Sequence, residues 1–272
     1  MSNAMRPAPP WELAGRSPLT RLPELVIPPR FCGPDGGGNG GYVCGRIAAY
    51  ADGPLTVTLR RPPPLATRMT VELAGDGSLF VRHGGTLIAE TTFPPGLGPL
   101  AVQVPDPASL ADARRSAGRA RYFQDPLYPQ CFVCGPSRSP GDGLRVFPGP
   151  VPGRTLWAAP WTPDSSVTGK DGRVRPEVAW AALDCPSGIA AAEHARLGPE
   201  TAILLGQMTA SLTTLPAAGD QCRVIAWPEG DSGRKLTAGS ALIGPTDEVL
   251  AVARAVWITV PRPVTQSAGG GS

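Results

Sequence analysis

The chain has 272 residues, a hydrophobic share of 42% and a formal net charge of only +3, enough apolar content for one large core or two ordinary ones. It contains no basic block, which argues against nucleic acid as a partner, and no stretch nears the ~20 apolar residues a membrane-crossing helix needs. Gly and Pro number 34 each, predicting few helices and many turns, and two histidines in the whole chain argue against a His-based triad or a multi-histidine metal site.

Met1-Ser2-Asn3-Ala4-Met5 reads as a tag remnant ahead of a native Met5, and residues up to 23 read as a Pro-rich, loose arm. No secretion signal is visible, and six scattered cysteines are expected to be reduced thiols in a cytoplasmic setting. Glu24–Ile27 is expected to be a short strand, closed by Pro28-Pro29. A glycine run then leads from Gly36 into a helix pattern over residues 42–51, with Val43, Ile47 and Tyr50 on one face. Gly45, Ala48 and Ala49 are small enough to let another backbone approach, and Asp52-Gly53-Pro54 ends the helix. A glycine-rich approach to a helix N-terminus leaves N–H groups that suit an anion or a polarised carbonyl. The same pattern equally suits a tight turn before a buried helix.

Extended segments follow at Leu55–Arg60, Met69–Leu73, Leu79–Arg82 and Leu87–Phe93, with hairpin turns at Gly75-Asp76-Gly77 and Gly84-Gly85. Residues 94–107 read as a linker, with a short strand at Leu100–Val104, and Ser109–Arg121 as a Ser-capped helix whose arginines form a solvated face. Cys131-Phe132-Val133-Cys134 invites zinc or redox chemistry, but zinc needs about four ligands and no second such pair or histidine pair exists, so no metal is expected. Strands are expected at Gly143–Phe147 and Leu156–Pro160, then the longest helix pattern at Pro176–Leu197. Trp180, Leu183 and Ile189 are its apolar residues, and Pro186 predicts a kink that frees the carbonyl of Ala182. Four more strands close the chain, at Ala202–Leu215, Gln221–Trp227, Lys235–Ile243 and Val249–Val260, before a disordered tail from Pro261. Both halves therefore run in one order: a lead-in, a central helix, a strand meander.

That order resembles the hotdog fold, a curved antiparallel sheet wrapped around one helix. Gly40-Gly41-Tyr42-Val43-Cys44-Gly45-Arg46-Ile47 resembles the glycine-rich helix start of the first domain in double-hotdog acyl-CoA thioesterases. Arg60-Arg61-Pro62-Pro63-Pro64-Leu65-Ala66-Thr67-Arg68-Met69-Thr70-Val71 resembles that family's arginine, proline, small-loop and strand segment. Cys131–Pro136 with Gly143-Leu144 resembles the opening of another hotdog thioesterase branch, and Ala181-Ala182-Leu183-Asp184 the helix segment bearing the catalytic carboxylate. The resemblance implies an α+β chain of two tandem hotdogs, at 24–107 and 131–262, joined by a linker helix within 108–130 and followed by a disordered tail at 263–272.

In this family an acid stands seven residues beyond the helix-opening motif. Seven beyond Gly41 is Ala48, so the first half lacks it; seven beyond Glu177 is Asp184, so the second half has it, although Arg175-Pro176-Glu177 there replaces the glycine pair. The resemblance thus implies one composite site, with backbone N–H groups at Gly40 and Gly41 polarising a thioester carbonyl and Asp184 activating water. Gln207 and Thr209, two apart on one strand face, are the expected partners of Asp184, Thr209 matching the family's threonine. The family's glutamine falls on the last strand, where this chain has Val256. Arg60 and Arg61 would meet the phosphates of CoA or remain exposed. Tyr42, Trp157 and Trp180 are expected in the core rather than in an acyl tunnel.

The implied function is hydrolysis of an acyl-CoA or acyl-carrier thioester without a cofactor. The alternative is a hotdog protein that binds acyl thioesters, or is structural, without turning them over. A hydratase would need a histidine beside Asp184, and neither His83 nor His194 sits in such a motif. The sequence leaves homo-oligomerisation open, since two hotdogs in one chain already make the dimer-like unit.

Overall fold

The computed structural model describes residues 19–34, 36–93, 100 and 102–263. In chain order these form β1 (Thr20–Leu25), α1 (Gly40–Ala48), β2 (Thr56–Leu59), β3 (Met69–Leu73), β4 (Leu79–His83) and β5 (Thr86–Thr92). There follow α2 (Leu110–Ser116), β6 (Gly149–Pro150), β7 (Trp157–Trp161), α3 (Pro176–His194), β8 (Thr201–Leu212), β9 (Cys222–Ser232), β10 (Lys235–Ile243) and β11 (Val249–Pro261).

All the strands join one antiparallel sheet in the order β1-β3-β4-β5-β2-β8-β11-β10-β9-β7-β6. Strands from before residue 93 make one flank and strands from after residue 148 the other. They meet at β2 and β8, where Thr56 pairs with Thr209, Val57 with Met208 and Thr58 with Gln207. The β-branched and apolar residues alternate as a half-buried sheet requires: Val57, Val71 and Val81 are fully buried and belong to one core.

The helix α3 packs against β8–β11 and along α1. It is buried without a break from Val178 to Asp184, so it has no solvated face there, and a single carboxylate stands among apolar neighbours. The two helices touch through glycine. A Cβ at Gly41 would lie 2.4 Å from the Asp184 Cβ and 2.7 Å from the Trp180 carbonyl oxygen, and one at Gly45 would lie 2.6 Å from the Glu177 Cα. Gly41 and Gly45, four apart, share one helix face, so the small side of α1 expected from its sequence is the side that meets α3.

Several expected boundaries differ. The first strand starts at Thr20, inside the segment read as a loose arm, because Thr20, Arg21 and Leu22 pair with Leu73, Glu72 and Val71. Gly143–Phe147 form no strand, and α2 ends at Ser116 rather than Arg121, with Gly118 just beyond at a φ of 71°. Of the strand expected at Leu100–Val104, residue 101 lies outside the described residues, and 102–104 carry no regular element. The helix α3 runs through Pro186. The expected tail is described only to residue 263, where the Arg262 N–H still donates to the Glu200 carbonyl. Among the described residues no helix is long and apolar enough to cross a membrane, and all six cysteines are free thiols.

Candidate functional site

The start of α1 and the middle of α3 meet at one carboxylate. Asn39 caps α1: its Oδ1 accepts from the Tyr42 N–H at 2.9 Å. Its Nδ2 donates to Asp184 Oδ2 at 2.9 Å, and the Gly41 N–H donates to the same oxygen at 2.9 Å. Both ends of the Asn39 amide are used, which fixes its orientation. Asp184 is 2% exposed, and its Oδ1 has no hydrogen-bond partner. Burial pushes its carboxyl up to about 7; the Gly41 N–H pulls against that, the Cys131 charge adds to the rise, and the Asn39 amide opposes it. An unsatisfied buried acceptor costs ~1–3 kcal/mol, a cost removed by protonation or by a donor arriving from outside.

The turn carrying Asp184 is braced. Pro186 brings no N–H to the ladder, and side chains take over nearby: Ser187 Oγ donates to the Asp184 carbonyl at 2.7 Å and Ser240 Oγ to the Leu183 carbonyl at 2.8 Å. Ser187 Oγ in turn accepts from Trp257 Nε1 at 3.0 Å. A Cβ at Gly188 would stand 2.7 Å from the Trp257 ring, so that glycine lets the indole lie against the helix.

Asp184 borders a cavity of about 640 Å³. Asn39 and Gly40 line it, as do the apolar Ile189, Leu205, Trp257 and Val260 and the cations Arg60, Arg61, Arg121, Arg196 and Arg262, the last paired with Asp125. Arg60 forms an ion pair with Glu90, and Arg121 with Glu193; among the described residues Arg61 and Arg196 have no ion-pair partner. The cavity therefore combines an apolar wall, a cationic lining and one buried acid.

The residues expected at the site divide. Asp184 and Gly41 are in direct contact, and Gly40 lines the cavity with no acceptor for its N–H among the described residues. The Gly41 N–H, expected to face a substrate carbonyl, is instead taken by Asp184. Gln207 and Thr209 do not reach Asp184 and do not line the cavity. They hold the sheet seam: Gln207 Nε2 donates to Thr58 Oγ1 at 3.0 Å, and Thr209 Oγ1 lies 2.7 Å from Thr56 Oγ1. The register explains this, because these residues sit directly opposite each other on β2 and β8. Arg60 and Arg61 line the cavity, while Tyr42, Trp157 and Trp180 are buried away from it.

Two features were missed. Asn39 was legible as a helix cap, since Asn ahead of a helix is a strong N-terminal signal. Cys185 had no such signal; the fold brings it to Cys131 and Cys134, so that the three sulfurs lie within 4.8 Å of one another. Cys131 is held well below the ordinary thiol range by hydrogen bonds from Cys134 and Cys185, against the effect of burial. Burial raises Cys44 and Cys222, with the Asp184 charge adding to the first and the Asp220 and Glu248 charges to the second. The loop bearing Cys131 is stitched to the segment before α1: the Phe132 N–H donates to the Cys32 carbonyl at 2.7 Å, and the Asn39 N–H to the Phe31 carbonyl at 2.8 Å.

No family model matches the sequence, and no curated protein matches it. The chain is similar to a thioesterase from Haemophilus influenzae, at 13% identity over 49% of this chain and 90% of that one, with a TM-score of 0.42. It is similar to the E. coli PaaI protein from the phenylacetic acid degradation operon, at 10% identity over 40% of this chain and 75% of that one, with a TM-score of 0.36. A Streptococcus mutans protein solved bound to acetyl-CoA matches at 9% identity over 40% of this chain and 84% of that one, with a TM-score of 0.36. Each of these matches covers half of this chain or less.

Proposed function

We propose that the chain consists of two tandem hotdog units, 24–107 and 131–262, linked through 108–130, and that it hydrolyses an acyl-CoA or acyl-carrier thioester where the units meet. The observation that carries this reading is the grip of Asn39 and Gly41, from α1, on Asp184 of α3 at the wall of a 640 Å³ cavity. A pocket of that size with an apolar wall and few polar groups suits an acyl chain.

The acyl chain lies along Ile189, Leu205 and Trp257, and the Gly40 N–H at the positive end of α1 polarises the thioester carbonyl. Asp184 Oδ2 is committed to its two donors, which leaves Oδ1 to orient a water and take its proton as the water oxygen bonds to the carbonyl carbon. The tetrahedral intermediate then collapses. The carbon–sulfur bond breaks, the proton passes from Asp184 to the leaving sulfur, and a carboxylic acid and a thiol depart. Arg61 and Arg196 are the free cations for the phosphates of the carrier.

The test is thioester turnover, followed with a thiol reagent across acyl chain lengths. Asp184→Asn preserves the shape of the side chain, so turnover falls at least ~100-fold with the fold intact. Equal turnover in the variant and the parent protein sinks the role of Asp184.

A second reading, a binding protein without turnover, is favoured by the ties of Gln207 and Thr209 to β2, which leave Asp184 without a side-chain partner from β8. Its signature is thermal stabilisation by acyl-CoA with no thiol release from either protein.

A further inference from the structure

We propose that Cys131, Cys134 and Cys185 form a binding site for a soft divalent cation of the zinc class, in the cavity wall beside Asp184. The sulfurs come from two separate segments, the loop after α2 and the middle of α3, and all lie within 4.8 Å of one another, Cys131 and Cys185 at 3.6 Å. The corners of a zinc–thiolate tetrahedron with ~2.3 Å bonds are ~3.8 Å apart, so the cation enters with shifts of less than about an ångström. A disulfide needs ~2.05 Å, so these are non-bonded thiols in the spacing of a ligand set.

The loop itself is shaped for the task. The Gly135 N–H donates to the Cys131 carbonyl at 2.9 Å, and a Cβ at Gly135 would lie 2.4 Å from that oxygen and 2.6 Å from the Cys131 nitrogen. The C-x-x-C-G turn is curled so tightly that only glycine fits. From the other side Asn39 Nδ2 donates to Cys185 Sγ at 3.7 Å and to Cys131 Sγ at 4.0 Å. Thiolate is the form that ligates metal, and the thiol protons leave as the metal binds.

Buried cysteines commonly act as small apolar residues, and Cys44 and Cys222 do so here; neither belongs to a thiol cluster. All three clustered cysteines line the cavity, so the fourth ligand position goes to a water or to a ligand atom arriving from it.

The experiment measures metal content of the full chain purified under reducing conditions, then titrates the metal-free protein with Co²⁺ and follows the thiolate-to-cobalt absorption. About one zinc per chain is expected, with an intense cobalt band that is lost in Cys131→Ser and Cys185→Ser and kept in Cys222→Ala. Zn²⁺ added to the metal-free parent protein raises its melting temperature. Absence of both zinc and the cobalt band in the folded parent protein overturns the proposal, whatever the variants do. A cobalt band that survives Cys185→Ser also overturns it. These readouts are independent of turnover: zinc without thioester hydrolysis leaves this site standing, and hydrolysis without zinc removes it alone.

Discussion

The two central helices make unequal contributions to one place. The helix α1 has nine residues, a glycine-rich first turn with no acid, and a side-chain cap from Asn39; α3 has nineteen residues, a Pro-Glu start and no side-chain cap. One brings hydrogen-bond donors without a carboxylate, the other a carboxylate without its own donors. The two helices meet through Gly41 and Gly45, which is what brings those donors to that carboxylate.

The sharpest way to break this pairing is to push the helices apart. Gly41→Ala places a methyl group against Asp184 and the Trp180 carbonyl. It is expected to cost about 3 kcal/mol in denaturant unfolding, with loss of activity in any folded fraction. A cost under about 1 kcal/mol would show that the helix contact tolerates expansion.

Asn39→Ala removes both the cap and a donor to Asp184. Loss of the cap and of a buried hydrogen bond to a charged group predicts about 2 kcal/mol of destabilisation and a roughly tenfold fall in kcat. Unchanged kcat at lowered stability would make Asn39 a cap alone.

At the seam, Thr209→Val deletes the hydroxyl opposite Thr56 and keeps the shape. Stability is expected to fall by about 1 kcal/mol while turnover stays at the parent level. A collapse of turnover like that of Asp184→Asn would restore Thr209 to the catalytic role implied by the family resemblance.

The smallest effect is at the cationic lining. Arg61→Ala is expected to raise KM about fivefold for a CoA thioester and to leave KM unchanged for a thioester of a short thiol without phosphates. Equal changes for both substrates would detach Arg61 from carrier binding.

Much of the fold was legible because its signals are local. The runs Met69–Leu73 and Lys235–Ile243 are strands over the expected residues, and Gly36–Gly41 runs into a helix, since β-branched alternation and turn glycines act over a few residues. Gly143–Phe147 has strand composition but joins no sheet, because its Leu144 and Val146 N–H groups donate to the Phe132 and Val133 carbonyls of the preceding loop and its Phe147 carbonyl accepts from Gly118. At the site, Asp184 and Gly41, which the family resemblance puts in one place, are in hydrogen-bond contact. Gln207 and Thr209 bond to Thr58 and Thr56 rather than to Asp184, because strand alternation tells which face a side chain takes, and the identity of the neighbour opposite depends on register across the sheet.

Taken alone, the amino-acid order determined the alternation of strands and helices, the small-residue face of α1, and the presence of one acid, Asp184, within the uncharged stretch of α3 between Glu177 and Glu193. Tertiary structure alone decided that Asn39 and Gly41 would close on Asp184, that β2 would pair with β8, and that Cys185 would join Cys131 and Cys134. The physical reason is distance along the chain. Propensities and caps act within a turn or two, whereas these contacts join groups separated by up to 153 residues, and only packing of the whole sheet against both helices brings them within hydrogen-bond reach.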